Sequence, residues 1–281
     1  PPPPRGPQPQ PPQVVQVVAR SGGFTQAVIL VLALFLFAAV FFTGITFGVI
    51  GMLAAGQVDD VVLERNIRDG GTQRIAILPV NGAIDDDQAR FVRAAVAHIL
   101  DDSSIEGVVL RVDSPGGGVA PSDQIWHEVG RLQRARLPVV ASFGGVAASG
   151  GYYVACATDH IVAEPTCITG SIGVIAQVLT VESLMAKIGV EPVTMVASGS
   201  PEKDVANDIM RAWTEADRSK VQTILDAAYG VFNARVAAGR VRTLPDPAAV
   251  DAVANGSIFT AEQALANGLV DQIGYLDDAI A

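Results

Sequence analysis

Residues Arg111–Ala155 read RVDSPGGGVAPSDQIWHEVGRLQRARLPVVASFGGVAASGGYYVA. Two β-branched apolar runs occur here, each followed by a glycine-rich turn and then a helical pattern. The first turn is Asp113-Ser114-Pro115-Gly116-Gly117-Gly118; the second ends in Ala147-Ala148-Ser149-Gly150-Gly151-Tyr152-Tyr153. Consecutive glycines after a strand let bare backbone N–H groups approach a ligand closely. A serine at the start of the following helix sits in that helix's positive field. The combination points to a nucleophile beside an oxyanion hole, hence acyl transfer.

Working outward, strand and helix patterns alternate. Strands are expected at Arg74–Val80, Gly107–Val112, Pro138–Phe143, His160–Ala163, Ile172–Ile175 and Glu191–Ala197. Helices are expected at Gln88–Leu100, Gln124–Arg134, Gly150–Thr158, Val181–Ile188 and Thr214–Ala238, with helical pieces after Asp246. Phe91, Ala95, Val96 and Ile99 share one face of the first helix. The alternation predicts an α/β fold with largely buried strands.

The N-terminal part differs in kind. PPPPRGPQPQPPQ is polyproline-like and builds no core. From Ser21 to Val58 there is no charged residue, and Ala27–Ile50 exceeds the roughly 20 residues that cross a hydrocarbon core. The divisions are a Pro-rich tail over 1–24, a transmembrane anchor over 25–55, a linker over 56–73 and a catalytic unit over 74–281. Arg5 and Arg20 precede the apolar run and every Asp and Glu follows it. That places the N-terminus in the cytoplasm and the catalytic unit outside. The net charge of −10 argues against nucleic-acid binding. Two cysteines, Cys156 and Cys167, make neither a disulfide framework nor a metal signature and read as small buried side chains.

Ser149 as a simple N-cap is the bland alternative, but a cap does not need glycines on both sides. Its base is less clear. His98 and His160 are badly placed, and His127 lies on the helix after the first glycine turn. Among the three lysines, Lys187 and Lys220 read as solvated helix faces, whereas Lys203 lies in an irregular stretch after an expected strand. A lysine with a reference pKa of about 10.4 must be uncharged near neutral pH to act as base. Glu202 and Asp204 would oppose this, so they must point away. Lys203 and His127 both remain open on residue logic.

DSPGGG, AASGGYYVA, TGSIGV (Thr169–Val174), Ser198-Gly199…Lys203-Asp204 and GLVDQIG (Gly268–Gly274), in this order from Arg74 onward, resemble the signal peptide peptidase SppA family in its short form. The resemblance implies a ClpP/crotonase-like fold of repeated ββα units preceded by one transmembrane helix. It implies a Ser–Lys dyad of Ser149 and Lys203, an oxyanion hole from Gly116, Gly117 and Gly150, and no cofactor or metal. It also implies a ring-shaped homo-oligomer at the bacterial cell membrane, in which Ser149 and Lys203 come from adjacent protomers. Its substrates would be remnant signal peptides and other apolar peptides. The rival readings are a crotonase-like acyl-CoA enzyme and a non-catalytic membrane scaffold of the same fold.

Overall fold

A computed structural model describes residues 13–19, 62–68, 70–71, 73–206 and 208–281. The expected transmembrane anchor lies outside the described residues. Among those described, no helix is long and apolar enough to cross a membrane.

The framework is a twisted sheet with helices packed against it. β1 (Gln13–Ala19), β2 (Val62–Arg68), β3 (Arg74–Ile84), β4 (Ile105–Gly117), β5 (Val139–Ala148), β6 (His160–Ala163) and β9 (Gln272–Ile273) run in the order β2-β1-β3-β4-β5-β6-β9. From β1 to β9 all pairings are parallel; β2 is antiparallel to β1. The far end of β5 changes partner and pairs with β7 (Ile168–Gly170), which pairs antiparallel with β8 (Ile258–Thr260).

The crossovers are α1 (Asp86–Asp101), α2 (Val119–Arg134) and α3 (Gly150–Ala155). α1 starts where the Asp85 carboxylate accepts the Gln88 N–H at 2.9 Å, with Asp86 and Asp87 favourable at the positive helix end. Its predicted face, Phe91, Ala95, Val96 and Ile99, is buried with Val92 against the sheet. β3 and β4 read as near-continuous apolar runs because helices cover the sheet; Leu78, Val80, Leu110 and Val112 are fully buried. Deleting any of these side chains to alanine would cost about 2–5 kcal/mol.

After β7 the chain leaves the core. α4 (Glu182–Lys187) and its flanks pack little before the long α5 (Glu215–Gly239) returns to it. The terminal elements are α6 (Pro247–Val253), α7 (Ala261–Ala266) and α8 (Leu276–Ile280). Arg240, 2% exposed, ties this end to the core: its guanidinium donates to both Asp271 oxygens at 2.8 Å and to the Gly268 carbonyl.

Three expectations are corrected. The strand expected at 172–175 lies instead at Ile168–Gly170, where it reaches the free edge of β5; Gly170 and Ser171, both at positive φ, then turn the chain away. No strand forms over 191–197, because among the described residues no strand runs beside it; Val193 and Met195 are 84% and 90% exposed. Gln13–Ala19, assigned to the tail, forms β1 inside the sheet. Its Val-rich run suits a ladder, and Val14 and Val15 pair with Ile75 and Ala76. β1 and β2 flank the undescribed apolar run yet pair with each other.

Candidate active site

Ser149 stands at the junction of β5 and α3, at φ 53° and ψ −120°. A non-glycine residue in this region is strained, and such strain persists only where the surroundings over-determine it. Here the Ser149 N–H donates to the Gly170 carbonyl at 2.8 Å, and the Ser149 carbonyl accepts the Tyr153 N–H at 2.9 Å. The hydroxyl makes no capping hydrogen bond, so the N-cap reading does not hold. A sharp strand–serine–helix turn of this kind pushes a hydroxyl out of the backbone.

The glycines fit the turn for different reasons. A Cβ on Gly151 would lie 2.7 Å from the Ser114 carbonyl oxygen, so β4 crosses directly beneath α3. A Cβ on Gly116 (φ 105°) would lie 2.7 Å from both the Gly150 nitrogen and the Ser149 Cβ. A Cβ on Gly150 would lie 2.5 Å from Ser122 Oγ and 3.2 Å from the Gly117 nitrogen. The three expected oxyanion glycines are thus brought against Ser149. The Gly116 N–H, however, is taken by Ser114 Oγ at 3.1 Å, and Ser114 in turn donates to the Gly82 carbonyl. Gly116 therefore supplies room, while the Gly150 N–H opens α3 next to Ser149.

Ser149, Gly117 and Gly150 border a cavity of about 190 Å³ whose walls are mostly small and apolar. Val119, Val174 and Ile175 form its sides, and Ala228 and Phe232 reach in from α5. Tyr153 closes the floor, its ring centroid 4.8 Å from that of Phe232. Burial, helped by the Asp123 carboxylate that accepts its hydroxyl at 2.6 Å, pushes the Tyr153 phenol far above its usual range and keeps it neutral. Ser122, buried, and Ser171, at φ 51°, also border the cavity.

Lys203 is not part of this wall. It is exposed, on a turn whose neighbours bind the first turns of α5. Glu202 pairs with Lys220 at 2.8 Å, and Asp204 with Arg211 at 3.3 Å. Arg211 also grips the buried Asp217 at 2.7 Å, and its hydrogen bonds, joined by those of Thr214, hold the Asp217 carboxyl well below the usual carboxylate range. Both acids beside Lys203 are thus engaged elsewhere. Ala228 and Phe232 lie far along α5 from Asp217 and Lys220; at about 1.5 Å per residue the offset is roughly 12–22 Å. The structure brings Ser149 and the glycines together and leaves Lys203 of the same chain outside. His127 is exposed and takes no part in the cavity wall.

Sequence reasoning singled out neither Ser122 nor Tyr153, Ala228 or Phe232. The α5 residues carried no local sign, being ordinary helix positions far along the chain. Ser171 lay within a quoted motif without a role.

These features define a protein with a strained serine at a sharp strand-to-helix turn of a mixed α/β sheet. Residues 131–281 match Peptidase family S49, and the chain belongs to that family. It is 38% identical to Protease 4 of Salmonella typhi over 229 residues, covering 79% of this chain and 36% of that protein. It is 35% identical over 231 residues to a putative signal peptide peptidase SppA of Enterococcus faecium, covering 78% and 65%. Over 207 residues it is 38% identical to putative protease slr0021 of Synechocystis, covering 74% and 72%. The chain thus spans about a third of the first relative and about two thirds of the second.

Proposed function

We propose that the protein is a membrane-anchored serine endopeptidase in which Ser149 is the nucleophile and Lys203 the general base. Its substrates would be remnant signal peptides and other apolar peptides. The observation that carries the reading is the strained Ser149, its hydroxyl free of any capping bond, at the mouth of an apolar cavity beside the first amide of α3. Membership in a peptidase family speaks for peptide bonds over acyl-CoA chemistry and against an inert scaffold.

Uncharged Lys203 takes the Ser149 proton as Oγ attacks the peptide carbonyl. The N–H of Gly150, with that of Gly117, holds the oxyanion; losing one such donor typically costs about 2.7–4 kcal/mol of barrier. The lysine ammonium then protonates the leaving amine, and water attacks the acyl-enzyme to restore Ser149. The placement of Lys203 supports a dyad made between chains. The arm between β7 and α5 presents Ile175, Leu179, Ile188, Val193 and Met195 to solvent, a run of apolar side chains larger than scattered surface residues explain. A second copy would cover it and bring its own Lys203 to the cavity, closing a ring-shaped homo-oligomer. Ala27–Ile50 would hold the assembly at the membrane.

The test is cleavage of an internally quenched apolar peptide by the full chain in detergent. Ser149→Ala and Lys203→Ala are each expected to be inactive, and Lys203→Arg likewise, since arginine keeps its proton. Mixing the two alanine variants during assembly should restore part of the activity. Full activity in either variant alone would end the dyad reading; inactive mixtures would place both residues in one chain.

A further inference from the structure

Tyr153 follows Ser149 by four residues, so α3 places its ring on the same face as the serine, one turn further along. The ring is 3% exposed and lies against Phe232 of α5, also 3% exposed, with the centroids 4.8 Å apart and the planes at 50°. The two rings close the cavity that Ser149 borders.

Packing alone does not hold the tyrosine. Its hydroxyl donates to Asp123 of α2 at 2.6 Å. The same carboxylate oxygen accepts Arg235 Nη2 of α5 at 3.4 Å, and that guanidinium lies 3.7 Å from the centre of the Trp126 ring on α2. A guanidinium over an indole face is attracted to it. Asp123 does not border the cavity, so it acts there only through Tyr153. α2, α3 and α5 meet at this joint, and the phenol ring fixes how deep the cavity runs.

Size and chemistry decide what enters. An apolar cavity of about 150 Å³ holds benzene. At about 190 Å³ this one has room for a leucine, methionine or phenylalanine side chain but not for an indole. Among the described residues no charged side chain lines it, and Ser122 Oγ gives its proton to the Gly118 carbonyl at 2.8 Å. A lysine side chain there would lose its water and gain no ionic partner.

We propose that Tyr153, held by Asp123, selects the substrate: the cavity takes the side chain on the acyl side of the scissile bond, uncharged and up to phenylalanine in size, and excludes tryptophan. This rests on the reading of Ser149 as the nucleophile of a peptidase. Tyr153 acts by contact with that side chain, and Asp123 is a positioning residue.

The test is a set of internally quenched peptides cleaved by the full chain in detergent, identical except for leucine, phenylalanine, tryptophan or lysine on the acyl side of the scissile bond. The ratio of kcat/KM for two peptides on one preparation cancels any loss of folded enzyme. The parent should cleave the leucine peptide at least about thirtyfold better than the tryptophan or lysine peptide. Tyr153→Leu, which keeps an apolar floor but shortens it, should raise the tryptophan-to-leucine ratio about tenfold. Asp123→Ala should raise it about threefold by freeing the ring, which a purely structural role for Asp123 would not do. A tryptophan or lysine peptide cleaved by the parent as well as the leucine peptide, or a parental ratio in either variant, overturns the proposal. Ser149→Ala is run alongside: if it cleaves at the parental rate, or if the parent cleaves no peptide of the set, the peptidase reading beneath the proposal fails instead.

Discussion

Gly151→Ala sets two known magnitudes against each other. Gly151 lies inside α3, where alanine is favoured over glycine by about 1 kcal/mol. Propensity alone therefore predicts a more stable protein. The structure predicts the opposite, because the new Cβ would lie 2.7 Å from the Ser114 carbonyl oxygen. That atom is backbone at the end of β4, where a rotamer change cannot relieve it, and ordinary contact begins near 3.4 Å. Either β4 or the serine turn must move by about 0.7 Å, and overpacking of this kind costs about 1–3 kcal/mol. The net effect is a loss of about 0–2 kcal/mol in stability. The effect on catalysis is larger, since misplacing a reacting group by 1 Å costs about a hundredfold. The assay pairs thermal unfolding with the second-order rate of Ser149 labelling by a fluorophosphonate, both on the assembled full chain. Labelling should slow about 10–100-fold while the folded fraction stays near parental. A variant that labels at the parental rate would refute the claim that β4 buttresses the turn.

Four further outcomes follow from the described contacts. Arg240→Met should destabilise by about 3–5 kcal/mol, because it leaves Asp271 without its partner in a site 14% exposed; chemical denaturation measures it. Burial pushes the Asp271 carboxyl up, but the hydrogen bonds and charge of Arg240 outweigh it and the net direction is down. The sign follows: the stability is present above the unfolded carboxylate pKa of about 3.9 and is lost as pH falls below it, so the melting temperature should drop on acidification in the parent and much less in Arg240→Met/Asp271→Leu. Cys156 and Cys167 are free, and burial pushes both thiols up to about 12; maleimide at pH 7.5 should label neither until the chain is unfolded. Single cysteines at Gln8 and at Glu262, probed with an impermeant maleimide on intact spheroplasts, distinguish the two arrangements of the tail. Both are labelled if β1 stays paired with β2, and only Glu262 is labelled if the tail remains inside.

How far the sequence could be read depended on whether a residue's partner was close along the chain. α1, α2, α3 and α5 were legible because their apolar spacing or caps are local, and β3 to β6 because buried β-branched runs need no knowledge of what covers them. The Ser149 turn was legible from its glycines, although a G-x-S-x-G elbow would need a glycine where Ala147 stands. The structure shows why that failure is harmless: the crowded position is Gly151, over β4, whereas Ala147 pairs in the ladder with Ser114. The run Glu191–Ala197 misled because its alternation suits a strand, yet among the described residues no strand is available to pair with it. β1 was missed because the prolines before it dominated the reading. The cavity wall on α5 was invisible, since nothing in Ala228 or Phe232 announces contact with a serine far earlier in the chain.

α5 touches two different centres. Its first turns anchor the lysine turn through Asp217 and Lys220, and its later turns line the serine cavity through Ala228 and Phe232. If the dyad forms between chains as proposed, the length of α5 sets the distance from each copy's lysine turn to its own serine cavity. Adding or deleting one residue between Lys220 and Ala228 would rotate one end against the other by about 100° and shift it by about 1.5 Å, and a whole turn would restore the angle but change the distance by about 5.4 Å, so no change of length keeps both ends in their present relation.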